Sequence, residues 1–268
     1  MRICDIFRTF AANITIMAKI AFITGASSGI GKACAYKFAQ GGYTLLLNAR
    51  SEDKLQAIQH DIQQQYGVDV VLLPFDVRDR KAAEVALTTL PDQYQSIDVL
   101  VNNAGLALGI DKEYEGIEEN YDTMIETNIT ALLMMTRLVV PGMVNRGKGH
   151  IINIGSVAGD AAYPGGSVYC ATKAAVKVLS DGLRMDLVDT PLRVTNVKPG
   201  LVETNFSVTR FGGDKERADK VYQGIKPLTG DDIADVVYYA ASAPEHVQIA
   251  EVLVLATHQA SGSLVYRK

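Results

Sequence analysis

Short apolar runs rich in β-branched residues alternate along this chain with longer segments whose apolar positions recur at helical spacing. The first kind reads as buried strand and the second as amphipathic helix. Strand candidates are residues 19–24, 44–48, 68–75, 99–102, 149–154, 193–198 and 251–255. A helical pattern runs through Ala33, Cys34, Tyr36, Phe38 and Ala39 and stops at Gly41 and Gly42. Further helices are predicted over 52–66, 80–90, 117–145, 167–190 and 231–242. Alternating β and α units predict a parallel sheet with helices on both faces. Right-handed crossovers make this a single doubly wound α/β domain with a mainly parallel seven-stranded sheet. Its ligand is then expected at the carboxyl ends of the strands.

Residues 1–17 stand outside this alternation. Ile3, Ile6, Phe7 and Phe10 are interrupted by Asp5, Arg8 and Asn13, so there is no apolar core of signal-peptide length. The segment is also too short and polar to cross a bilayer. It reads as an N-terminal extension, expected to be mobile and dispensable. A membrane-lying amphipathic helix is the alternative, and the missing basic face counts against it. The domain proper is expected over 18–268. A charged, glycine-containing segment, 205–224, is placed to act as a lid, and 256–268 form a tail.

Net charge is −4, which argues against a general nucleic-acid binder. Cys4, Cys34 and Cys170 are scattered, and so are His60, His150, His246 and His258. Neither set has metal-ligand or disulfide spacing, so no metal is expected and a reducing cytoplasm suits the chain.

Two segments carry candidate chemistry. The apolar run ending at Thr24 leads into Gly25-Ala26-Ser27-Ser28-Gly29-Ile30-Gly31 and then a helical pattern. In a strand–turn–helix unit, such glycines let the backbone approach a pyrophosphate at the helix N-terminus. The spacing is Gly-x-x-x-Gly-x-Gly rather than the commoner Gly-x-Gly-x-x-Gly, and a glycine-rich loop without a ligand remains the plainer reading. Further on, Tyr169 and Lys173 are spaced to share one helix face. An ammonium near a phenol favours the phenolate and lowers its pKa from about 10. Such a phenol can exchange a proton with an alcohol oxygen. Ser156 follows the apolar strand at 149–154, at the edge where ligands bind; a turn-capping serine is the alternative. Asn128 falls inside a long helix, where a buried amide needs a partner; local bonding to a loop would satisfy it equally.

Taken in order, Thr24-Gly25-x-x-x-Gly29-Ile30-Gly31, Asn102-Asn103-Ala104-Gly105, Asn128, Ser156, Tyr169, Lys173 and Pro199-Gly200 resemble the short-chain dehydrogenase/reductase family. The likeness runs from about residue 18 to the C-terminus. Segments 101–109 and 149–156 and the tail from Thr257 look most like bacterial NADP-dependent 3-hydroxy acid dehydrogenases, a group that includes serine and allo-threonine dehydrogenases.

The resemblance implies a Rossmann fold and an NADP(H)-dependent oxidoreductase of a short 3-hydroxy acid or similar small alcohol. Rival readings are a reductase of larger ketones, such as acyl-carrier or steroid substrates, and a non-catalytic NADP-binding protein. It implies roles too. Tyr169 transfers the proton, Ser156 orients the carbonyl, Lys173 holds the ribose and lowers the tyrosine pKa, and Asn128 bends its helix and supports the relay. Cofactor contacts are implied at Gly25, Ser27, Ser28, Gly29, Ile30, Arg50, Asp76, Val77, Asn102, Ala104, Gly105, Tyr169, Lys173, Pro199, Gly200, Val202 and Thr204. A homotetramer is implied, with the helices near 117–145 and 167–190 between subunits.

Two arginines refine the picture. The second strand ends Leu47-Asn48-Ala49-Arg50, with Ala49 where an acid would select NAD. Arg50 can meet a 2′-phosphate instead, or stay a solvated turn residue. Arg210, in the lid segment, is a candidate fork for the acidic group of a substrate; pairing with Glu203, Asp214 or solvent is the alternative. Gln259 is a second substrate candidate, expected to reach a neighbouring subunit's site.

Overall fold

The computed structural model describes residues 18–268. The reading of 1–17 as a mobile extension, and its membrane-helix alternative, concern residues outside that range. Seven strands form one sheet: β1 Ile20–Ile23, β2 Thr44–Asn48, β3 Val70–Leu73, β4 Ile97–Asn102, β5 His150–Ile154, β6 Arg193–Pro199 and β7 Glu251–Val254. Their spatial order is β3-β2-β1-β4-β5-β6-β7, and every neighbouring pair is parallel. The expectation of a mainly parallel sheet is thus met by an all-parallel one. The chain order reverses between β1 and β4, and a crevice for a ligand opens at such a switch point.

Alternation along the strands builds two cores. Ala21, Ile23, Leu45, Leu47, Val99 and Val101 face one side, where α1 Gly29–Gln40, α2 Glu52–Tyr66 and α9 Gly230–Ser242 cover them. Ile20, Phe22, Leu46, Leu100, Ile151 and Val194 face the other. That side is covered by α3 Arg80–Thr88, α5 Ala131–Arg146 and α6 Ser167–Asp186. Strands buried on both faces need near-continuous apolar runs, which is how β1 and β2 read.

The predicted 117–145 helix is not continuous. It comprises α4 Glu118–Ile125, a π-helical turn at Glu126–Thr130 and α5. The Glu118–Arg146 stretch is long and apolar enough to cross a membrane. Met134, Met135, Val139 and Met143 of this stretch are buried in the second core. Segment 205–224 contains two short helices, α7 Asn205–Arg210 and α8 Lys215–Lys220, capped by the side chains of Thr204 and Asp214.

A polar row crosses the sheet beneath α5 and α6. Asn102, Asn153, Asn196 and Glu251 lie in register on β4, β5, β6 and β7. Asn102 donates to Asn153 Oδ1 at 2.9 Å, Asn153 to Ser180 Oγ at 2.9 Å and Asn196 to Glu251 Oε2 at 3.3 Å. Buried amides need such partners, so the row helps fix strand register.

At the opposite end of β5, His150 is buried against the Thr195 hydroxyl, 2.8 Å from Nε2. Burial, helped by Arg193, pulls its pKa from 6.5 to about 3. Between those values the unfolded chain binds the extra proton. The stability contributed by keeping His150 neutral is therefore complete above about pH 6.5 and is lost as pH falls toward 3. We expect His150→Gln to flatten the acid side of the thermal-stability profile between pH 6.5 and 4. The wild type should be steeper by up to about 1.4 kcal/mol per pH unit. Parallel wild-type and variant profiles from calorimetry would remove His150 as the cause.

Candidate active site

At the carboxyl edge of the sheet lies a cavity of about 640 Å³, within the size range of small-molecule sites. One end is the turn between β1 and α1. Gly25 (φ +66°) and Gly29 (φ +53°) occupy left-handed backbone that side chains with a Cβ rarely adopt. Asn103 and Thr24 pin this turn to β4. Asn103 Nδ2 donates to the carbonyls of Thr24 (2.9 Å) and Gly25 (3.2 Å). Thr24 Oγ1 accepts from the backbone N–H groups of Asn103 (3.1 Å) and Ala104 (3.0 Å).

Arg50, Asp76 and Arg78 line the same end. Arg78 forks onto Asp76, with NH2 2.8 Å from Oδ2 and Nε 3.1 Å from Oδ1. That contact, reinforced by the charge of Arg50, holds the Asp76 carboxyl below its usual range.

At the centre, Ser156, Tyr169 and Lys173 converge on the cavity and all three are buried. Ser156 lies two residues beyond β5 and accepts from Ala158 N at 3.1 Å, which leaves its own O–H free to donate. Lys173 Nζ donates to the Ile154 carbonyl at 2.8 Å and lies 6.0 Å from the Tyr169 ring centroid. Burial pulls the Lys173 pKa down to about 8.

The expectation that Lys173 lowers the Tyr169 pKa is not what dominates here. Burial pushes the phenol above its ordinary value, while the Ser156 hydroxyl beside it and, more weakly, Arg210 act in the opposite direction. The physical reason is desolvation. The phenolate would lose its water in this buried position.

Asn128 sits in the π-turn, outside the cavity wall. Its Oδ1 accepts from Leu106 N at 2.9 Å, and its Nδ2 donates to Leu106 O at 2.8 Å and Thr172 Oγ1 at 3.0 Å. A Cβ on Gly105 would lie 3.1 Å from Asn128 Oδ1 and 3.4 Å from Lys173 Nζ, so those two groups close on one point.

The far end is built from segment 205–224 and the tail. Arg210 Nε donates to Gly109 O at 3.1 Å, and NH1 donates to Tyr163 Oη at 3.0 Å, rather than to Glu203 or Asp214. Its guanidinium also lies 5.5 Å from the Tyr163 ring and 6.0 Å from the Tyr169 ring. Two-bond anchoring leaves other N–H groups of the fork unassigned. Arg267 of the tail donates to Gln223 O at 2.6 Å, and Lys268 N to Gly224 O at 2.9 Å, so the tail is tied to the end of the lid segment.

Asn102 and Gln259 are placed differently from expectation. Asn102 is not in the cavity wall, because its side chain belongs to the polar row under α5 and α6. Gln259 lines the cavity, but its carboxamide is engaged within its own chain. Oε1 accepts from Leu201 N at 2.8 Å, and Nε2 donates to Ser261 O at 3.0 Å. It braces the turn after β6 instead of reaching outward. The remaining cofactor candidates, from Gly25 through Thr204, all border the cavity. Asn103, Arg78 and Tyr163 are site residues that sequence reasoning passed over. The cue for Asn103 was a second asparagine at a strand end, where neighbouring side chains point to opposite faces.

A doubly wound sheet with a glycine turn at its switch point, and a buried Ser–Tyr–Lys group one cavity away, defines a nucleotide-dependent oxidoreductase of alcohols and carbonyls. The match to known families agrees. Residues 19–214 match the short chain dehydrogenase model, and the chain belongs to that family. It is 45% identical over 251 residues to an NADP-dependent 3-hydroxy acid dehydrogenase of Schizosaccharomyces pombe, covering 93% of this chain and 97% of the relative. It is 40% identical over 245 residues to a sulfoacetaldehyde reductase of Chromohalobacter salexigens, covering 91% and 96%. Among solved structures, the closed form of serine dehydrogenase complexed with NADP+ superposes with a TM-score of 0.87. Identity there is 42%, over 93% of this chain and all of the other.

We expect Tyr169→Phe to lower kcat by about 10² to 10⁴-fold, the usual worth of general acid–base catalysis, with cofactor affinity kept. Retention of more than about half the wild-type rate would assign the proton to another group.

Proposed function

We propose that this enzyme is an NADP(H)-dependent oxidoreductase that interconverts a short 3-hydroxy acid and its carbonyl form. The observation that carries the substrate class is Arg210. It is a guanidinium held by Gly109 and Tyr163 at the end of the cavity, next to Tyr169. A small acid has little apolar surface, so its charged group must orient it, and an arginine fork suits a carboxylate or sulfonate. The relatives' names point to the same chemistry, a 3-hydroxy acid in one and a sulfonated aldehyde in another.

The cavity fits the cofactor. The positive-φ glycine turn at the start of α1 suits a pyrophosphate. Ser27, Ser28, Gly29 and Ile30 border that space, with Thr204 opposite Gly29. Arg50 and Arg78 offer cations to a 2′-phosphate, and the two residues directly after β2 are Ala49 and Arg50 rather than an acid. Asp76 and Val77 would flank the adenine, and Lys173 the nicotinamide ribose. When bound, NADPH supplies the hydride for the carbonyl carbon.

The protein's own residues handle the oxygen. The Ser156 hydroxyl, with its acceptor side filled by Ala158 N, donates to the carbonyl oxygen. Tyr169, kept neutral by burial, delivers the phenolic proton to that same oxygen as negative charge develops there. Lys173 places a cation behind both, and Asn128 locks the loop at Leu106 that closes around it. A protonated tyrosine suits the reductive direction.

The assembly we propose is a homotetramer. Ile117, Ile125, Leu133 and Val144 are exposed around α4 and α5, as are Val178, Met185 and Val188 on and just after α6, which leaves apolar surface for subunit contacts. Buried free thiols at Cys34 and Cys170 support a cytoplasmic setting.

The test compares a short 3-oxo acid with a neutral aldehyde of similar size, each with NADPH and NADH. Wild type should prefer NADPH by tenfold or more, as a charge-assisted bond of about 1.5–3 kcal/mol allows, and Arg50→Ala should erode that preference. Arg210→Met should cut kcat/KM on the acid by about tenfold and leave the aldehyde unchanged. Equal use of both cofactors would contradict the NADP assignment. Equal losses on both substrates would make Arg210 a brace of the lid segment and not an anchor.

A further inference from the structure

We propose that Lys198 is a positioning residue for the Ser156 hydroxyl, acting through an ion pair with Asp160. Lys198 lies near the end of β6 and is only 5% exposed. Its ammonium is 2.8 and 3.0 Å from the two Asp160 carboxylate oxygens and 2.7 Å from Glu251 Oε1. Burying an ammonium is unfavourable unless it is well paired, and an apolar side chain of similar size would fill the space at lower cost. A buried lysine at this point therefore calls for a role beyond packing.

Asp160 closes the turn that begins at Ser156. The turn is a single 3-10 turn at Val157–Gly159, with Gly159 N bonded to Ser156 O at 3.0 Å and Asp160 N to Val157 O at 3.1 Å. Its other flank is also tied to β6, since Gly155 N donates to Val197 O at 2.8 Å. Two consecutive residues of β6 thus grip the two sides of Ser156, one through its backbone and one through its ammonium. On the opposite side the turn is pressed against α6. A Cβ on Gly159 would lie 2.7 Å from the Lys173 backbone carbon and oxygen. The turn has no room to move toward Lys173, and Lys198 stops it from moving away.

Because Ser156 Oγ accepts from Ala158 N inside this turn, the direction of the remaining O–H depends on the turn's geometry. Loss of the Asp160 tether would leave Ser156 in place but free to swing. Small errors of placement at a reacting centre lower turnover steeply without changing what binds elsewhere. Glu251 keeps Lys198 paired when Asp160 is neutralised, so Asp160→Asn isolates the tether from the burial of the charge.

This inference rests on the reading of Ser156 as the group that orients the substrate carbonyl. The experiment is a double-mutant cycle. Asp160→Asn and Lys198→Met are made alone and on a Ser156→Ala background, with Lys198→Arg as the conservative control. kcat and KM are measured, and NADPH affinity is followed by fluorescence titration. We expect Asp160→Asn to lower kcat about tenfold with NADPH affinity unchanged, and Lys198→Arg to retain most of the rate. On the Ser156→Ala background, Asp160→Asn should change kcat by less than about twofold, because the group it positions is gone. A wild-type kcat in Asp160→Asn overturns the proposal. So does the same fold-loss on both backgrounds, which would mark a general structural effect. Should Ser156→Ala itself turn over like wild type, the role of Ser156 fails and the proposal fails with it. An impaired Ser156→Ala with an additive cycle defeats the proposal alone. Asp160→Asn carries the decision even if Lys198→Met does not fold.

Discussion

An ammonium buried among backbone must be solvated by the protein itself, and the active site is arranged around that demand at Lys173. Its nitrogen has the Ile154 carbonyl at 2.8 Å, and burial lowers its pKa to about 8. Three local features follow. Gly105 has no Cβ, which leaves Asn128 and Lys173 free to close on one point. The helix carrying Asn128 widens to a π-turn, a distortion that recurs at functional sites. Gly159 lets the Ser156 turn press onto the backbone of Lys173. Each would be a defect in a purely structural helix pair. Together they place a cation, a phenol and a hydroxyl on one wall of a single cavity.

Burial also decides what the phenol does. In water a neighbouring ammonium would make the phenolate easier to form. Here desolvation outweighs the opposing pull of the Ser156 hydroxyl and Arg210, and favours the protonated phenol. In the mechanism proposed above, this neutral phenol is the proton donor and the cofactor that supplies the hydride binds from the β1–α1 turn. The sheet holds these two halves at a fixed separation. Thr24 and Asn103 weld the glycine turn to β4, and the row Asn102–Asn153–Asn196–Glu251 sets the register from β4 to β7. The same row ends at Glu251, which shares the ammonium of Lys198.

Much of this was legible in the chain. The 52–66 helix falls on the observed α2, and each strand candidate contains or overlaps an observed strand. The clearest are β1 and β2, buried on both faces and so read as near-continuous apolar runs. What was hidden depended on partners distant in sequence. The break at Glu126–Thr130 arises where Asn128 bonds Leu106, a contact that helical periodicity does not report. Asn102 and Asn103 are adjacent, and only the observed register shows which one faces the glycine turn. Arg78 is exposed by its grip on Asp76, and Tyr163 by its bond to Arg210; a lone arginine or tyrosine in a loop carries no such signal. Nothing local in the sequence reports that the Gln259 amide is used on Leu201 and Ser261 rather than toward a neighbouring subunit.

Hydride transfer between a nicotinamide and a small carbonyl acid in this one cavity leaves an isotopic trace. The most direct measurement follows the label. NADPH carrying deuterium at the transferable C4 position is incubated with enzyme and a short 3-oxo acid, and the product is analysed by mass spectrometry. One deuterium is expected on the carbinol carbon, with NADP+ formed in equal amount. Product without deuterium, or no oxidation of NADPH with either acidic or neutral carbonyl compounds, would contradict that transfer.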